Sequence, residues 1–258
     1  MAESKLPISV CLIAANEAHR IRAALESVAG WTSEIVVVLN EDVNDGTDKI
    51  AESFGARVFR EPWKGFIGQK NSAVEKCGQP WALNLDADEV VTAELRDEIL
   101  GCIAGGDSSC VAYSFPRCTF YLGRWIRHGD WYPDRCIRLW QRGRARWAGV
   151  DPHARLEVEG RVGRLRNNLQ HFSNDSVNAH VQKIIPFTDE FVRQHSKRPA
   201  GLPVSGLIIR PVWRFVRAYF IRLGFLDGWQ GLFIAWLNAF STASKYAKLR
   251  EQQMRSSQ

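Results

Sequence analysis

Trp81-Ala82-Leu83-Asn84-Leu85 is a short apolar run that ends in Asp86-Ala87-Asp88-Glu89, three carboxylates around one alanine. Side chains alternate along an extended segment, so Asp86 and Asp88 are expected on one side and Ala87 on the other if the strand persists to its end. Two carboxylates on one side suit a hard divalent cation, Mg2+ or Mn2+, which takes oxygen and water ligands and also holds diphosphate oxygens. The plainer alternative is a strand running into a solvated acidic turn before a helix at Thr92. The surrounding pattern must choose.

The elements that would position this motif alternate in type. Ile8 to Ala14 has the character of a buried strand, and Asn16 has the chemistry of an N-cap before a helix carrying Ile21, Leu25 and Val28 at helical spacing and stopped by Gly30. Glu34 to Leu39 is a β-branched strand, followed by the polar turn Asn40 to Thr47 and a helix ending at Phe54 and Gly55. Arg57 to Phe59, a helix from Gln69 to Lys76, and the strand from Trp81 continue the series. Alternating strands and helices predict a parallel sheet with covering helices, and ligands in such sheets sit beyond the carboxyl ends of the strands. Asn16, the turn Asn40 to Asp45, and Asp86-Ala87-Asp88 all fall there.

Beyond the Thr92 to Ala104 helix the strands shorten, with Val111 to Arg117 and Cys136 to Trp140 separated by a loop bearing Trp125, His128, Trp131 and Tyr132 among arginines and aspartates. Such a loop suits a sugar-binding cleft, and equally suits ring packing beneath a long connection. Trp147 to Arg155 is expected as another loop, and Asp175 to His195 as a helix kinked near Pro186.

The composition is that of a globular chain of 258 residues. The six cysteines contain no C-x-x-C pair, which argues against a zinc or redox motif and for reduced, buried thiols. Met1 to Pro7 lacks the parts of a secretory signal, so a cytosolic location is expected. From Lys197 onward ten Lys and Arg face only Asp227 and Glu251, a net of +8 within a total of +6, leaving −2 for the first 196 residues. In Leu207 to Leu249 the arginines at 210, 214, 217 and 222 form a basic stripe among rings and aliphatics, with no uninterrupted apolar run of the roughly 20 residues that spanning requires. This stretch is expected to lie on an anionic membrane surface, or to pack as a helical hairpin against the rest of the chain or a partner.

Taken together, Ile13-Ala14-Ala15-Asn16-Glu17, Asp45-Gly46-Thr47, Gly68-Gln69-Lys70-Asn71, Leu85-Asp86-Ala87-Asp88-Glu89, Trp131-Tyr132-Pro133-Asp134 with Arg138-Leu139, His171-Phe172-Ser173 and Gly224-Phe225-Leu226-Asp227-Gly228 resemble the inverting family 2 glycosyltransferases of the GT-A fold. The resemblance spans nearly the whole chain and points to the lipopolysaccharide core group that adds glucose to the inner-core heptose. It implies an α/β fold of GT-A (Rossmann-like) type, with a mostly parallel sheet and flanking helices over 1–196 and a basic amphipathic helical region over 197–258. It implies that Asp86 and Asp88 hold a nucleotide-sugar and its Mg2+ or Mn2+, with Ala87 between them, that Lys70 and Asn71 assist at the diphosphate, and that Asn16 and Glu17 line the nucleotide pocket.

Two places depart from the family pattern. The aspartate expected at the end of the second strand is replaced by Leu39-Asn40-Glu41-Asp42, with one extra residue before Asp45-Gly46-Thr47, so Asn40, Glu41 and Asp42 are the residues expected at the base of a UDP-sugar. In Val150-Asp151-Pro152-His153-Ala154, alanine follows the histidine where relatives often carry glutamate. Inversion needs a base for the acceptor hydroxyl. Asp151 is the expected base, with His153 second and Glu157 and Asp134 behind, unless Asp151 serves only the Asp-Pro turn. The expected activity is transfer of a hexose, glucose by the resemblance, to a glycan or glycolipid of the cell envelope, peripheral on the inner face of the cytoplasmic membrane. The alternatives are a catalytically silent membrane-associated binding protein on the same fold, and a sugar nucleotidyltransferase, for which the early glycine-rich phosphate loop is missing. Nucleic acid is not an expected partner.

Overall fold

A computed structural model describes residues 5–105, 109–151, 153–174, 176–195 and 204–255, with main chain alone for His153, Ser173 and Asn174. The chain forms two compact units, Met1–Arg117 with Asp134–His171, and Cys118–Pro133 with Phe172–Gln258. These divisions fall inside the stretch 1–196 that the sequence assigns to a single domain.

The first unit opens with β1 (Leu6–Ala14), α1 (Ile21–Ala29), β2 (Thr32–Asn40), α2 (Thr47–Ser53), β3 (Arg57–Glu61), α3 (Gly65–Glu75) and β4 (Trp81–Asn84). Both faces of its central strands are dry, which is why they read as continuous apolar runs. Ile8, Val10 and Leu12 of β1 and Ile35, Val37 and Leu39 of β2 pack with Ile21, Leu25 and Val28 of α1. On the other face Cys11, Val36 and Val38 meet Ala73 and Cys77, the latter just beyond α3. The parallel order β3-β2-β1-β4 has the pairings Ala14↔Leu39, Asn40↔Glu61 and Cys11↔Asn84, so the carboxyl ends of four strands share one edge.

Past β4 the sheet is mixed. β5 (Glu89–Val91) and α4 (Ala93–Gly105) precede β6 (Cys110–Tyr121), which leaves this unit after Arg117; β7 (Arg124–Ile126) belongs to the second unit, and β8 (Asp134–Gln141) returns. β8 lies antiparallel to both β4 and β6, with Leu83↔Leu139 and Tyr113↔Leu139. β9 (Ala145–Val150) and β10 (His153–Val158) form an antiparallel hairpin, where the sequence suggests an irregular loop over Trp147 to Arg155. β11 (Arg161–Arg164) pairs with β6, and β12 (Leu169–Asn174) pairs with β5 through Leu169↔Val91 and His171↔Glu89.

Asn16 is not a helix cap. Helix α1 begins five residues later, at Ile21, after a turn in which Arg20 and Ile21 donate to the Glu17 carbonyl.

In the second unit, Thr119 to Tyr121 pair with Arg124 to Ile126 across a tight turn at Leu122 and Gly123, both at positive φ. α5 (Val177–His195) runs through Pro186 as one helix. α6 (Gly206–Val216) passes into a π-helical turn at Arg217–Ile221, and a short turn at Gly224–Asp227 leads into α7 (Gly228–Arg255). Asp227 is buried and fixes the Arg127-His128 segment by accepting both main-chain N–H groups at 3.1 and 2.8 Å. Tyr121 Oη and His180 Nδ1 are 2.8 Å apart in the interior.

Candidate active site

Strand β4 stops at Asn84, two residues before Asp86. Glu89 N donates to the Asp86 carbonyl at 2.9 Å, and Asp86 N donates to the Glu89 carboxylate at 3.0 Å, so the acidic motif is a tight turn rather than an extended strand end. The alternation expected to put Asp86 and Asp88 on one side is therefore broken, and the two carboxylates meet different partners.

Asp86 is held by two cations. Lys70 Nζ reaches Oδ1 at 2.8 Å and Arg138 Nη2 reaches Oδ2 at 2.5 Å. Burial alone would raise the Asp86 carboxyl, but the charges of Arg138 and Lys70 prevail and hold it well below the usual carboxylate range. Arg138 also donates to Asn84 at 2.8 Å and to the fully buried Glu89 at 2.7 Å, and Arg117 reaches Glu89 at 3.1 Å. Glu89 and Arg138 form the inner half of this network; Arg138 sits on β8, whose antiparallel pairing to β4 brings it under the motif.

Asp88 stands apart from these cations, with His171 Nε2 3.5 Å from its Oδ2. The β5–β12 pairing delivers His171, since it sits opposite Glu89. Glu17 lies on the same cavity, and its carboxyl is pushed up by burial, reinforced by Asp88 against Arg20. Asp45-Gly46-Thr47 positions the Glu17 loop: the Asp45 carboxylate accepts Ala18 N–H and Thr47 N–H at 3.0 Å, and Thr47 Oγ1 accepts Glu17 N–H at 3.0 Å.

These groups open on a cavity of about 550 Å3 at the carboxyl ends of β1, β2 and β4, walled by Ala14, Trp63 and Phe66 and lined by Glu17, Asn40, Lys70, Asp86, Ala87, Asp88 and His171. A second cavity of about 500 Å3 shares Phe66, Lys70 and Asp86 with it and adds Arg117, Arg135, Arg138 and Arg155. A larger hollow of about 840 Å3 beside α1 and α4, lined by Glu26, Ser27, Thr92, Arg96 and Asp97 among others, shares no residue with these two cavities.

The other residues expected at the site lie elsewhere. Asn16, Glu41 and Asp42 are exposed and do not line the cavity. Asn71 is engaged at both ends of its amide by the main chain of Trp147, each at 2.9 Å, so it joins α3 to β9 rather than reaching a ligand. Asp151 Oδ1 accepts Ile67 N–H at 3.0 Å in the first turn of α3. A Cβ on Gly65 (φ +80°) would collide with Asp151 Oδ2, so glycine is needed there both for the backbone and for the carboxylate. His153 belongs to β10, and its side chain lies outside the described residues. Glu157 is paired with Arg155 at 2.8 Å, and Asp134 with Arg117 at 2.6 Å.

Sequence reasoning missed Trp63 and Phe66, and gave no role to Glu89, Arg138 or His171 although they stand in quoted motifs. The available signal was composition: an arginine between apolar residues of a strand, as in Ile137-Arg138-Leu139, demands a buried carboxylate.

The architecture is that of GT-A glycosyltransferases. A mannosyltransferase from Pyrobaculum calidifontis, solved with GDP-Man and Mn2+, matches 96% of this chain and 88% of its own length at a TM-score of 0.56 and 12% identity. S. aureus TarS, solved with UDP-GlcNAc, matches 97% of this chain and 92% of that one at 0.50 and 12%. A model of glycosyl transferase family 2 matches residues 9–198, and the chain belongs to that family. It is 32% identical over 259 residues to an uncharacterized glycosyltransferase of Rickettsia typhi, covering 96% of this chain and 88% of the relative. It is 30% identical over 261 residues to the lipopolysaccharide core biosynthesis glycosyltransferase LpsC of Rhizobium meliloti, covering 94% of each.

Proposed function

We propose that this glycosyltransferase moves a hexose, glucose, from a UDP-sugar to a hydroxyl of a lipopolysaccharide core or related envelope glycan, with inversion at the anomeric carbon. The observation that carries the proposal is the cavity at the strand ends, where Glu17, Asn40, Lys70, Asp86, Asp88 and His171 converge. The likeness to LpsC supports the acceptor class.

Asp88 and His171 would hold Mn2+ or Mg2+. Their facing atoms, 3.5 Å apart, fit two ligands of one ion. Among the described residues no group of three His, Cys, Asp or Glu could hold a metal. Two protein ligands suffice for a cation that takes its remaining ligands from diphosphate and water, and an imidazole nitrogen favours Mn2+ over Mg2+. When bound, the cation offsets the charge that gathers on a departing nucleoside diphosphate. Lys70 adds a fixed charge beside it, and Asp86, held between Lys70 and Arg138, is oriented to accept a hydroxyl of the donor. Asn40, at the end of β2, would meet the base.

The acceptor proton needs a base on the face opposite the leaving group. We assign it to the tip of the β9–β10 hairpin, where Asp151 and His153 stand. Asp151 Oδ1 receives Ile67 N–H and Oδ2 lies against Gly65, so the carboxylate would act as the base only by leaving the first turn of α3, and the imidazole is the alternative. Placement at the inner face of the cytoplasmic membrane follows from a lipid-borne acceptor.

The test is a thermal-shift panel of UDP-glucose, UDP-GlcNAc and GDP-mannose with Mn2+, Mg2+ or chelator. A donor that binds the native state at a hundred times its Kd stabilises it by about 2.7 kcal/mol. UDP-glucose with Mn2+ is expected to give the largest shift, followed by product formation. No shift with any donor would sink the transferase reading in favour of a silent fold.

A further inference from the structure

The second unit turns many of its large apolar residues outward, alongside a small core of Tyr121, Ile126 and Ile234. On α6, at 100° per residue, Ile208, Ile209, Val212 and Trp213 fall within an arc of about 140°. All four are exposed, Ile208 to 65%. Arg210 and Arg214 flank that arc, and the buried Pro211 lies beyond them. Trp229, Leu232, Trp236 and Phe240 of α7, at i, i+3, i+7 and i+11, form a second exposed stripe, with Trp236 at 65%. Gln230, Gly231, Ile234 and Ala235 of the same helix face inward. Phe220, Ile221 and Leu223 between the helices are exposed as well. Exposed apolar stripes on two helices that pack against each other mark an interaction surface.

The charges beside it are cationic. Between residues 204 and 255 eight Lys and Arg stand against Asp227 and Glu251, and Asp227 is buried. Three guanidinium groups converge on the buried Asp130: Arg214 at 2.6 Å, Arg217 at 2.8 Å and Arg222 at 3.5 Å. One carboxylate neutralises one of three charges. The excess, added to burial, lowers the Arg214 pKa despite Asp130, and Arg217 Nε finds no acceptor among the described residues. An oxyanion is what this cluster lacks.

We propose that the outward stripes of α6 and α7 seat this unit on an anionic phospholipid bilayer, with Trp213, Trp229 and Trp236 in the interface and Arg214, Arg217 and Arg222 at the phosphates. The charge complementarity selects a lipid surface over a second copy of the chain, whose own arginines would repel these. No described helix is long and apolar enough to cross a membrane, so the helices lie on the surface. This site is independent of donor chemistry, and its test does not require transfer activity.

The experiment is co-sedimentation of the full chain with vesicles of phosphatidylcholine alone or mixed with phosphatidylglycerol, at low and high salt, alongside light scattering without vesicles. Binding is expected only with phosphatidylglycerol and is expected to weaken with salt. Trp213→Ser with Trp236→Ser should weaken it about tenfold or more through lost apolar burial, and Arg222→Gln roughly fivefold. Each substitution is at an exposed side chain, and the melting temperature checks the fold; Ile209→Asn provides a second apolar variant. Equal binding to neutral vesicles would overturn the arginine role. Absence of vesicle binding would overturn the whole proposal, and self-association lost in the tryptophan variant would assign the face to a second copy instead.

Discussion

The two units solve opposite problems with the same residue types. In the first, apolar side chains fill both faces of a parallel sheet, and charged groups gather at its strand ends around a cavity. In the second, buried polar groups such as Asp130, Asp227 and His180 hold loops and helices together, while Trp213, Trp229, Trp236, Ile208 and Ile209 face outward. A buried charge is tolerable only when paired, so each network marks a place where its unit accepted desolvation for position. At the strand ends that position serves a ligand. Around Asp130 it presents arginines.

The comparison can be tested most severely at the acidic motif. Asp88→Ala should lower transfer about a thousandfold and abolish the Mn2+-dependent part of the donor-induced thermal shift; a variant that retains both would remove Asp88 from the site. Arg138→Gln leaves Glu89 and Asp86 short of a cation in the interior and should cost about 3 to 5 kcal/mol of stability, read by denaturant unfolding. A much smaller loss would mean that the network is wetter than its burial implies.

A pH titration probes the second unit. Burial, with a smaller contribution from Lys183, pulls the His180 pKa down from 6.5 to about 4. Between those values the unfolded chain binds the proton and the folded chain does not, so stability rises with pH across this window. The contribution is fully present above about pH 6.5 and is lost on acidification toward pH 4, on the order of 3 kcal/mol. Melting temperatures should fall accordingly, and His180→Gln should flatten the dependence.

The smallest effect separates two roles of one residue. Asp151→Asn keeps an oxygen for Ile67 N–H, so stability should change by less than about 1 kcal/mol, while transfer should fall at least about a hundredfold if Asp151 is the base. Retained transfer would make Asp151 the cap of α3 alone and pass the base role to His153.

Much of the first unit was legible because its elements are local. Strands dry on both faces announce themselves as apolar runs, and helices α1 and α4 by their spacing. Asp86 and Asp88 were expected at the cavity's edge for the same reason, since sheet topology fixes where strand ends meet, whereas Glu17 and Lys70, which also line it, were expected only from the family resemblance. The hairpin β9–β10 was not, because a polar, partly exposed strand pair carries little periodic signal. Asn71 was misplaced because nothing in its neighbours reveals the main chain of Trp147, seventy-six positions away.

What the sequence determined by itself is the alternation of strands and helices, the acidic motif at a strand end, and the basic, aromatic character of the C-terminal stretch. All three follow from residue type at short range. The tertiary structure decided which carboxylate is held by cations and which is left to a histidine, because Arg138 and His171 arrive from distant strands by antiparallel pairing. It also decided that the tryptophans of α6 and α7 face outward, since a helix's periodicity shows that it has two faces but not which of them the fold will cover.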